Sequence, residues 1–90
     1  MLKHFNITIS GEVQGVNFRA ETKKQADEMS ISGFVENLSN DTVYIEAEGE
    51  EKKLDEFIRW CRKGTWFSKV KKAAVVESNP KGFKDFVIKY

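Results

Sequence analysis

The stretch of sequence that decides the fold covers residues 11–19 and reads Gly-Glu-Val-Gln-Gly-Val-Asn-Phe-Arg. Before it, apolar and polar side chains alternate, which predicts a half-buried strand over residues 3–10. After it, apolar side chains recur at helical spacing, which predicts a helix over residues 18–31 with Gly33 as its stop signal. We therefore interpret the stretch as a strand-to-helix turn that contains two glycines.

This turn is predicted to bind an anion. Unpartnered backbone N–H groups and the positive end of the helix dipole meet at a helix N-terminus. Arg19 lies in the first helical turn, where a cation opposes the dipole at a cost of roughly a few tenths of a kcal/mol. A bound anion would offset that cost, so we interpret the turn as a phosphate-binding loop with Arg19 as its clamp. Asn17 is expected to cap the helix through its side chain, and Gln14 to contribute its backbone.

The remainder of the chain is predicted to hold four strands and one helix. The strands cover 33–38, 42–48, 69–77 and 84–90, and the helix covers 51–63, with a tight connection at 39–41 and Gly49 at the end of the third strand. The order β-α-β-β-α-β-β predicts an α+β fold of the ferredoxin-like (split βαβ) kind. In this fold two helices cover one face of a mainly antiparallel sheet, here with an extra C-terminal strand whose pairing stays open.

Size and charge limit the classes of protein to which the chain can belong. Ninety residues make one domain, 1–90, and the formal net charge of +1 gives no strong field for nucleic acid or an anionic membrane. The single cysteine, Cys61, excludes an intramolecular disulfide, and its place on an apolar helical stripe predicts a core residue. No apolar run could span a bilayer and no signal peptide is recognised. We expect a cytoplasmic monomer with no nucleic-acid or membrane partner.

Several kinds of phosphate chemistry are excluded by the residues around the turn. No Gly-Lys-Ser/Thr follows it, and its glycines have the wrong spacing for a dinucleotide fold. A cysteine-dependent phosphatase would carry its nucleophile six residues before the arginine, where this chain has Val13. His4, the only histidine, is expected on the surface, and no cluster of ligands predicts a metal site. Such a site would position water against a phosphate with a good leaving group, and an acyl phosphate fits.

Residues 11–19 resemble the first sequence motif of the acylphosphatases. The matching residues are Gly11, Val13, Gln14, Gly15, Val16, Phe18 and Arg19. The run Gly33-Phe34-Val35-Glu36-Asn37, followed by a turn and Val43, is similar to the second motif of that family. The likeness covers nearly the full chain. It implies a ferredoxin-like enzyme that cleaves carboxyl–phosphate mixed anhydrides into carboxylate and inorganic phosphate.

The resemblance also implies a role for each residue of the site. Arg19 would bind the phosphoryl group together with the preceding loop, whose residues are Gln14, Gly15, Val16, Asn17 and Phe18. Asn37 would hold the attacking water through its side-chain amide. The partner would be a small-molecule acyl phosphate, with inorganic phosphate as product and inhibitor. Neither a metal ion nor another cofactor is expected.

Two stretches depart from the family pattern. Asn40-Asp41 stands where Asp-Gly is usual, and these residues take left-handed backbone angles less readily than glycine, so we expect a different loop shape. Gly64-Thr65 is followed by Trp66 and Phe67, where Gly-Pro is frequent. Both aromatic side chains are expected to pack against the domain, or to cover a sheet edge or the substrate mouth.

Two other functions stay open at this point. A non-catalytic regulatory domain that binds phosphate would carry the same loop. The split βαβ fold also occurs in RNA-binding modules, which stack bases on aromatic side chains of the sheet. The usual RNA-binding pattern is missing around residues 42–49, where Tyr44 is followed by Glu46 and Glu48 on the same predicted face, and the near-neutral charge argues against RNA as well.

Overall fold

The computed structural model describes residues 1–90, which form two helices and a five-stranded sheet. In chain order the elements are β1 (Leu2–Glu12), α1 (Phe18–Glu28), β2 (Ser32–Asn37), β3 (Val43–Glu50), α2 (Glu51–Lys63), β4 (Lys69–Ser78) and β5 (Phe86–Lys89). This is the order of elements that the sequence predicted. No helix is both long and apolar enough to cross a membrane.

The strands lie side by side in the order β4-β1-β3-β2-β5. Every neighbouring pair is antiparallel except β2 and β5, which run parallel with Gly33 opposite Phe86 and Glu36 opposite Lys89. The last strand, whose pairing the sequence left open, therefore forms one edge of the sheet, and β4 forms the other. Both helices pack against one face, so the expected ferredoxin-like sandwich is confirmed.

One hydrophobic core fills the space between the sheet and the helices. The core residues from the sheet are Ile7, Ile9, Val35, Val43, Ile45, Ala47 and Phe86, and those from the helices are Phe18, Ala26, Leu54, Phe57 and Cys61. Cys61 is fully buried, as expected, and burial raises the pKa of its thiol. This packing fixes the ends of β1 and β2, which carry the candidate site.

Two glycines have roles other than the expected ones. α1 is shorter than predicted because Ser30, just beyond it, adopts a left-handed φ of 56°. Gly33 is therefore not the stop signal of the helix. It lies within β2 at a φ of 137°, where a Cβ would come within 1.9 Å of the carbonyl oxygen of Glu46. Gly49, expected to end the third strand, lies inside β3, which continues past it.

His4 is buried, so the expectation of a surface histidine is wrong. Its side chain lies on the sheet face opposite the helices and is fully inaccessible to solvent. The carboxylates of Glu46 and Glu48 lie within hydrogen-bond distance of its two ring nitrogens. These partners are 42 and 44 positions away in the chain, so the local sequence pattern did not indicate them.

Gly33→Ala is expected to destabilise the fold more than Gly82→Ala. Both glycines have positive φ values, 137° and 80°, but only at Gly33 would the new Cβ meet a neighbour, the backbone oxygen of Glu46. Backbone strain costs about 1–3 kcal/mol at either position, and the clash with β3 adds to it at Gly33. Urea unfolding measures the two losses. Equal losses would show that the close approach of β2 to β3 is no constraint.

Candidate functional site

A cavity of about 290 Å³ opens where β1 gives way to α1. The residues that line it are Val13, Gly15, Asn17, Phe18, Arg19, Ala20, Asn37, Ile88 and Tyr90. Arg19 and Asn37, which lie on different elements, thus meet at one cavity with the strand-to-helix turn. Gln14 and Val16, also predicted for the site, do not line it. A larger groove of about 730 Å³ between α1 and β5 contains no residue of the turn.

The backbone of the turn is free to bind an anion. No backbone N–H group of residues 14–20 donates a hydrogen bond to another part of the protein, and the first helical bond runs from Glu21 to the carbonyl oxygen of Asn17 at 3.1 Å. Gly15 and Asn17 have left-handed φ values of 75° and 64°, which turn the chain sharply. Asn17 does precede the helix, but its side chain makes no capping bond, so that expectation is wrong.

Arg19 is held in place by the C-terminal strand. Its Nη1 donates a hydrogen bond to the carbonyl oxygen of Lys89 at 3.2 Å, and its Cζ lies 4.9 Å from the centroid of the Tyr90 ring. A cation over an aromatic ring is attracted by about 0.5–1 kcal/mol at an exposed position. Arg19 is also the only charged side chain that lines the cavity, which therefore favours an anion. The sequence did not indicate Tyr90 as a residue of the site, because its approach to Arg19 depends on the parallel pairing of β5 with β2.

The side chain of Gln14 has a structural role that the sequence did not predict. Its Nε2 donates hydrogen bonds to the carbonyl oxygens of Leu38 and Thr42, each at 2.8 Å. These two residues bracket the connection between β2 and β3. The Gln14 amide thus joins the β1–α1 turn to the loop that follows Asn37, and it fixes the two parts of the site relative to each other.

Asn37 ends β2 and carries an unsatisfied polar atom. Its side-chain Oδ1 is buried and has no hydrogen-bond partner. An unpaired buried acceptor costs about 1–3 kcal/mol, and the rare cases in folded proteins call for an explanation such as a bound water or a catalytic role. Because Asn37 lines the same cavity as Arg19, this oxygen can accept a hydrogen bond from a water beside a bound anion.

The two stretches that depart from the family pattern are the turn at Asn40-Asp41 and the aromatic pair Trp66-Phe67. Asp41 takes a left-handed φ of 65°, so it fills a turn position at which glycine is usual, and Thr42 Oγ1 donates to Asn40 Oδ1 at 2.6 Å within the same turn. Trp66 and Phe67 are 98% and 82% exposed, and neither lines the cavity. The expectation that they pack against the domain is wrong.

The chain is similar to known acylphosphatases along its whole length. The acylphosphatase family model matches residues 5–88. An acylphosphatase of Ligilactobacillus salivarius is 43% identical over 90 residues, which cover 99% of this chain and 100% of the relative. An acylphosphatase of Thermotoga maritima is 38% identical over 89 residues, 99% of each chain. The crystal structure of acylphosphatase from Bacillus subtilis matches with a TM-score of 0.95 and 38% identity, and 100% of each chain is covered.

Gln14→Met is expected to lower the free energy of unfolding by about 1–3 kcal/mol, because the carbonyl oxygens of Leu38 and Thr42 lose their shared donor. Gln25→Met makes the same chemical change on α1, at a partly exposed position, and is expected to cost less than about 0.5 kcal/mol. Denaturant unfolding compares the two variants. Identical midpoints would mean that the bridge from Gln14 does not stabilise the fold.

Proposed function

This chain belongs to the acylphosphatase family and is an acylphosphatase. We propose that a water molecule held in the site attacks the phosphorus of the substrate directly. The reaction converts an acyl phosphate and water into a carboxylate and inorganic phosphate. One observation supports the proposal most directly: a single cavity is lined by Arg19, by residues of the turn whose amides are open, and by Asn37, whose buried Oδ1 has no partner.

The phosphoryl group binds to the turn. Its oxygens accept hydrogen bonds from backbone N–H groups and from the Arg19 guanidinium, whose planar donors suit two oxygens at once. The proposed binding residues are Gln14, Gly15, Val16, Asn17, Phe18 and Arg19. Support comes from the amides, which have no partner within the protein, and from the helix dipole, which favours negative charge at this end of α1.

The attacking water binds to the side-chain amide of Asn37. Oδ1 accepts a hydrogen bond from the water, which leaves a lone pair of the water oxygen free to approach phosphorus. As the new O–P bond forms, the bond from phosphorus to the carboxylate oxygen breaks on the opposite side, and the proton released by the water passes to the phosphate product. Arg19 and the amides stabilise the charge that develops on the phosphoryl oxygens.

The other residues of the cavity support water as the nucleophile. No serine, cysteine, histidine or acidic side chain lines it, so no such group is placed for covalent catalysis or for proton transfer. A carboxylate is a weak base, with a conjugate acid of pKa about 4, and it leaves without a protonating group. Acyl phosphates are therefore the substrates that the residues of this site suit best.

The cavity is small, and the groups proposed to bind the substrate all contact its phosphoryl end. Ile88 and Tyr90 add apolar surface, and Tyr90 is almost completely exposed. We therefore propose broad acceptance of acyl groups.

Because the site draws on residues from Val13 to Tyr90 of one chain, we also propose that residues 1–90 act as one domain and need no second copy.

Arg19→Ala is expected to lower kcat for benzoyl phosphate by about 10²–10³-fold and to weaken inhibition by phosphate, since the charged clamp acts on both. Arg59→Ala, which removes an exposed arginine from α2, is the matched control and should leave both values unchanged. The assay contains EDTA, and activity should persist in it. Unchanged phosphate inhibition in Arg19→Ala would contradict the role of the clamp.

Asn37→Ala is expected to lower kcat by a similar factor, about 10²-fold or more, but to leave phosphate inhibition nearly unchanged, because this side chain positions water and does not bind the phosphoryl group. Asn79→Ala, an exposed asparagine between β4 and β5, is the control. Wild-type turnover in Asn37→Ala would refute the water-positioning role. A folded wild-type protein that binds phosphate but hydrolyses no acyl phosphate would instead favour a regulatory anion-binding domain.

A further inference from the structure

Two large aromatic side chains lie side by side in the connection between α2 and β4, outside the cavity. Trp66 and Phe67 are 98% and 82% exposed, and neither ring stacks on another aromatic ring of the protein. Two such side chains present roughly 300–500 Å² of surface, which is the size of the largest apolar patch on a typical monomer and often marks a contact surface. The proposed reaction uses neither residue.

The connection is an ordered turn that holds both rings out from the protein. The N–H of Ser68 donates to the carbonyl oxygen of Thr65 at 3.3 Å, which places Trp66 and Phe67 at the centre of a four-residue turn. The N–H of Thr65 donates in return to Oγ of Ser68 at 2.7 Å. Glycine, proline and short polar residues are usual at the centre of a turn. Because the turn is formed in advance, docking of the two rings would cost little conformational entropy.

The turn lies between two groups of basic residues. Residues 57–76 contain six of the 15 lysines and arginines of the chain and none of its 14 aspartates and glutamates. The six, all exposed, are Arg59, Arg62 and Lys63 of α2 and Lys69, Lys71 and Lys72 of β4. The net charge of +1, on which the expectation of no membrane partner rests, conceals this basic stretch, because the rest of the chain is acidic.

These six cations have no anionic partner within the protein. None of them forms an ion pair, whereas Lys3, Lys23 and Lys81 each pair with a carboxylate. Arg62 is bonded only to the carbonyl oxygen of Ala73, at 3.2 Å. Cations stabilise the end of a helix through its dipole, but this reason does not extend to the three on β4. Like charges that lie close together repel each other, and an anionic partner would offset that repulsion.

We propose that this basic-aromatic surface, formed by the six cations with Trp66 and Phe67, docks on anionic phospholipid membranes. The two rings insert between the headgroups, at the depth that aromatic side chains, tryptophan above all, prefer. Each lysine or arginine held near an anionic leaflet strengthens binding by about fivefold. Docking is peripheral and reversible, because two inserted side chains bury little apolar surface and depend on the added electrostatic attraction.

Two other partners suit this surface less well. A second copy of the chain, related by a twofold axis, would bring the same six cations face to face, and like charges across an interface are unfavourable. Single-stranded RNA is commonly bound by stacking its bases on aromatic side chains of a sheet, whereas Trp66 and Phe67 lie on a turn. Paired exposed rings surrounded by cations match a surface that is apolar below a layer of negative charge.

The basic-aromatic surface is separate from the residues of the cavity. None of its eight residues lines the cavity. Two acidic residues lie at its margin, since Glu12 is opposite Lys69 across the β1–β4 pair and Glu21 lines a groove together with Lys63 and Trp66. Substitutions within the surface should therefore leave the turnover of soluble benzoyl phosphate unchanged. Turnover thus reports correct folding in every variant below.

Sedimentation with vesicles tests the docking. The wild-type protein is mixed with vesicles of equal parts phosphatidylserine and phosphatidylcholine, or of phosphatidylcholine alone. We expect binding to the anionic vesicles and much weaker binding to the neutral ones, and we expect salt to weaken the former, since ions screen charges beyond about 10 Å at 0.1 M ionic strength. No binding to the anionic vesicles would overturn the proposal. Displacement of the protein from the vesicles by a single-stranded oligonucleotide that binds it more tightly would also overturn it, and would assign the surface to nucleic acid.

The double variant Trp66→Ser/Phe67→Ser tests the insertion of the rings. Its affinity for the anionic vesicles should fall by at least about tenfold, because both apolar side chains are lost. Val87→Ser, which removes an exposed apolar side chain from the opposite edge of the sheet, is the control and should bind like the wild type. Wild-type affinity in the double variant would refute docking through the rings.

Charge reversal separates this surface from the field of the whole molecule. Lys71→Glu/Lys72→Glu should weaken binding to the anionic vesicles by at least about twentyfold. Lys52→Glu/Lys53→Glu makes the same change in net charge at two exposed neighbours near the other end of α2, and it should cost far less. Equal losses in the two variants would show that the basic-aromatic surface is not the docking site.

Tryptophan fluorescence locates the contact. Of the two tryptophans, Trp60 is stacked on Phe18 with ring centroids 5.5 Å apart, so only Trp66 is free to enter the membrane. We expect the emission to shift to shorter wavelength when anionic vesicles are added. Trp66→Phe should keep most of the binding and lose the shift. Binding of the wild type without a shift, or the same shift in Trp66→Phe, would contradict the insertion of Trp66.

Discussion

The structure depends on the alternation of side chains along β1 and β3, the adjacent strands at the middle of the sheet. One set, in which Ile7 lies opposite Ile45, belongs to the hydrophobic core, where α2 packs against both strands. The other set includes His4 opposite Glu48, a hydrogen-bonded pair that is just as inaccessible although no helix covers it. This second layer is stable because its buried polar side chains find hydrogen-bond partners, among them the Glu46 and Glu48 carboxylates. A shift by one residue would exchange the two layers, so the register is strongly specified.

The same sheet gives the proposed site its rigidity. Arg19 is supported from β5 by a carbonyl oxygen and an aromatic ring, and Gln14 ties the turn to the connection between β2 and β3. The open amides and the oxygen of Asn37 are therefore in place before a substrate arrives. Groups held in advance need little reorganisation when charge develops, and preorganisation of this kind accounts for much of enzymatic rate enhancement.

Local patterns in the sequence predicted the elements and the turn, because alternation, helical spacing and glycine positions act over a few residues. They also predicted that Tyr44 and Glu48 share one face of the third strand. They did not predict that this face is buried, because His4 meets its carboxylates only after β1 and β3 pair. Gly33 was wrongly predicted to be the stop signal of the helix for the same reason, because the backbone of Glu46, which lies close to it, comes from another strand. The contact of Tyr90 with Arg19 joins residues that are far apart in the chain and therefore leaves no local pattern.

Strand β4 forms an open edge of the sheet along its ten residues. Lys69, Lys71 and Lys72 lie in its first half, where like charges repel a second chain that approaches edge to edge. The carbonyl oxygen of Ala73 accepts a hydrogen bond from Arg62 Nη1, but residues 74–76 carry no charge, and Val76 is 61% exposed. Unpaired strand edges of this kind are templates for strand addition between molecules. Self-association of the folded protein would therefore start at residues 74–76, and salt would promote it by screening the lysines.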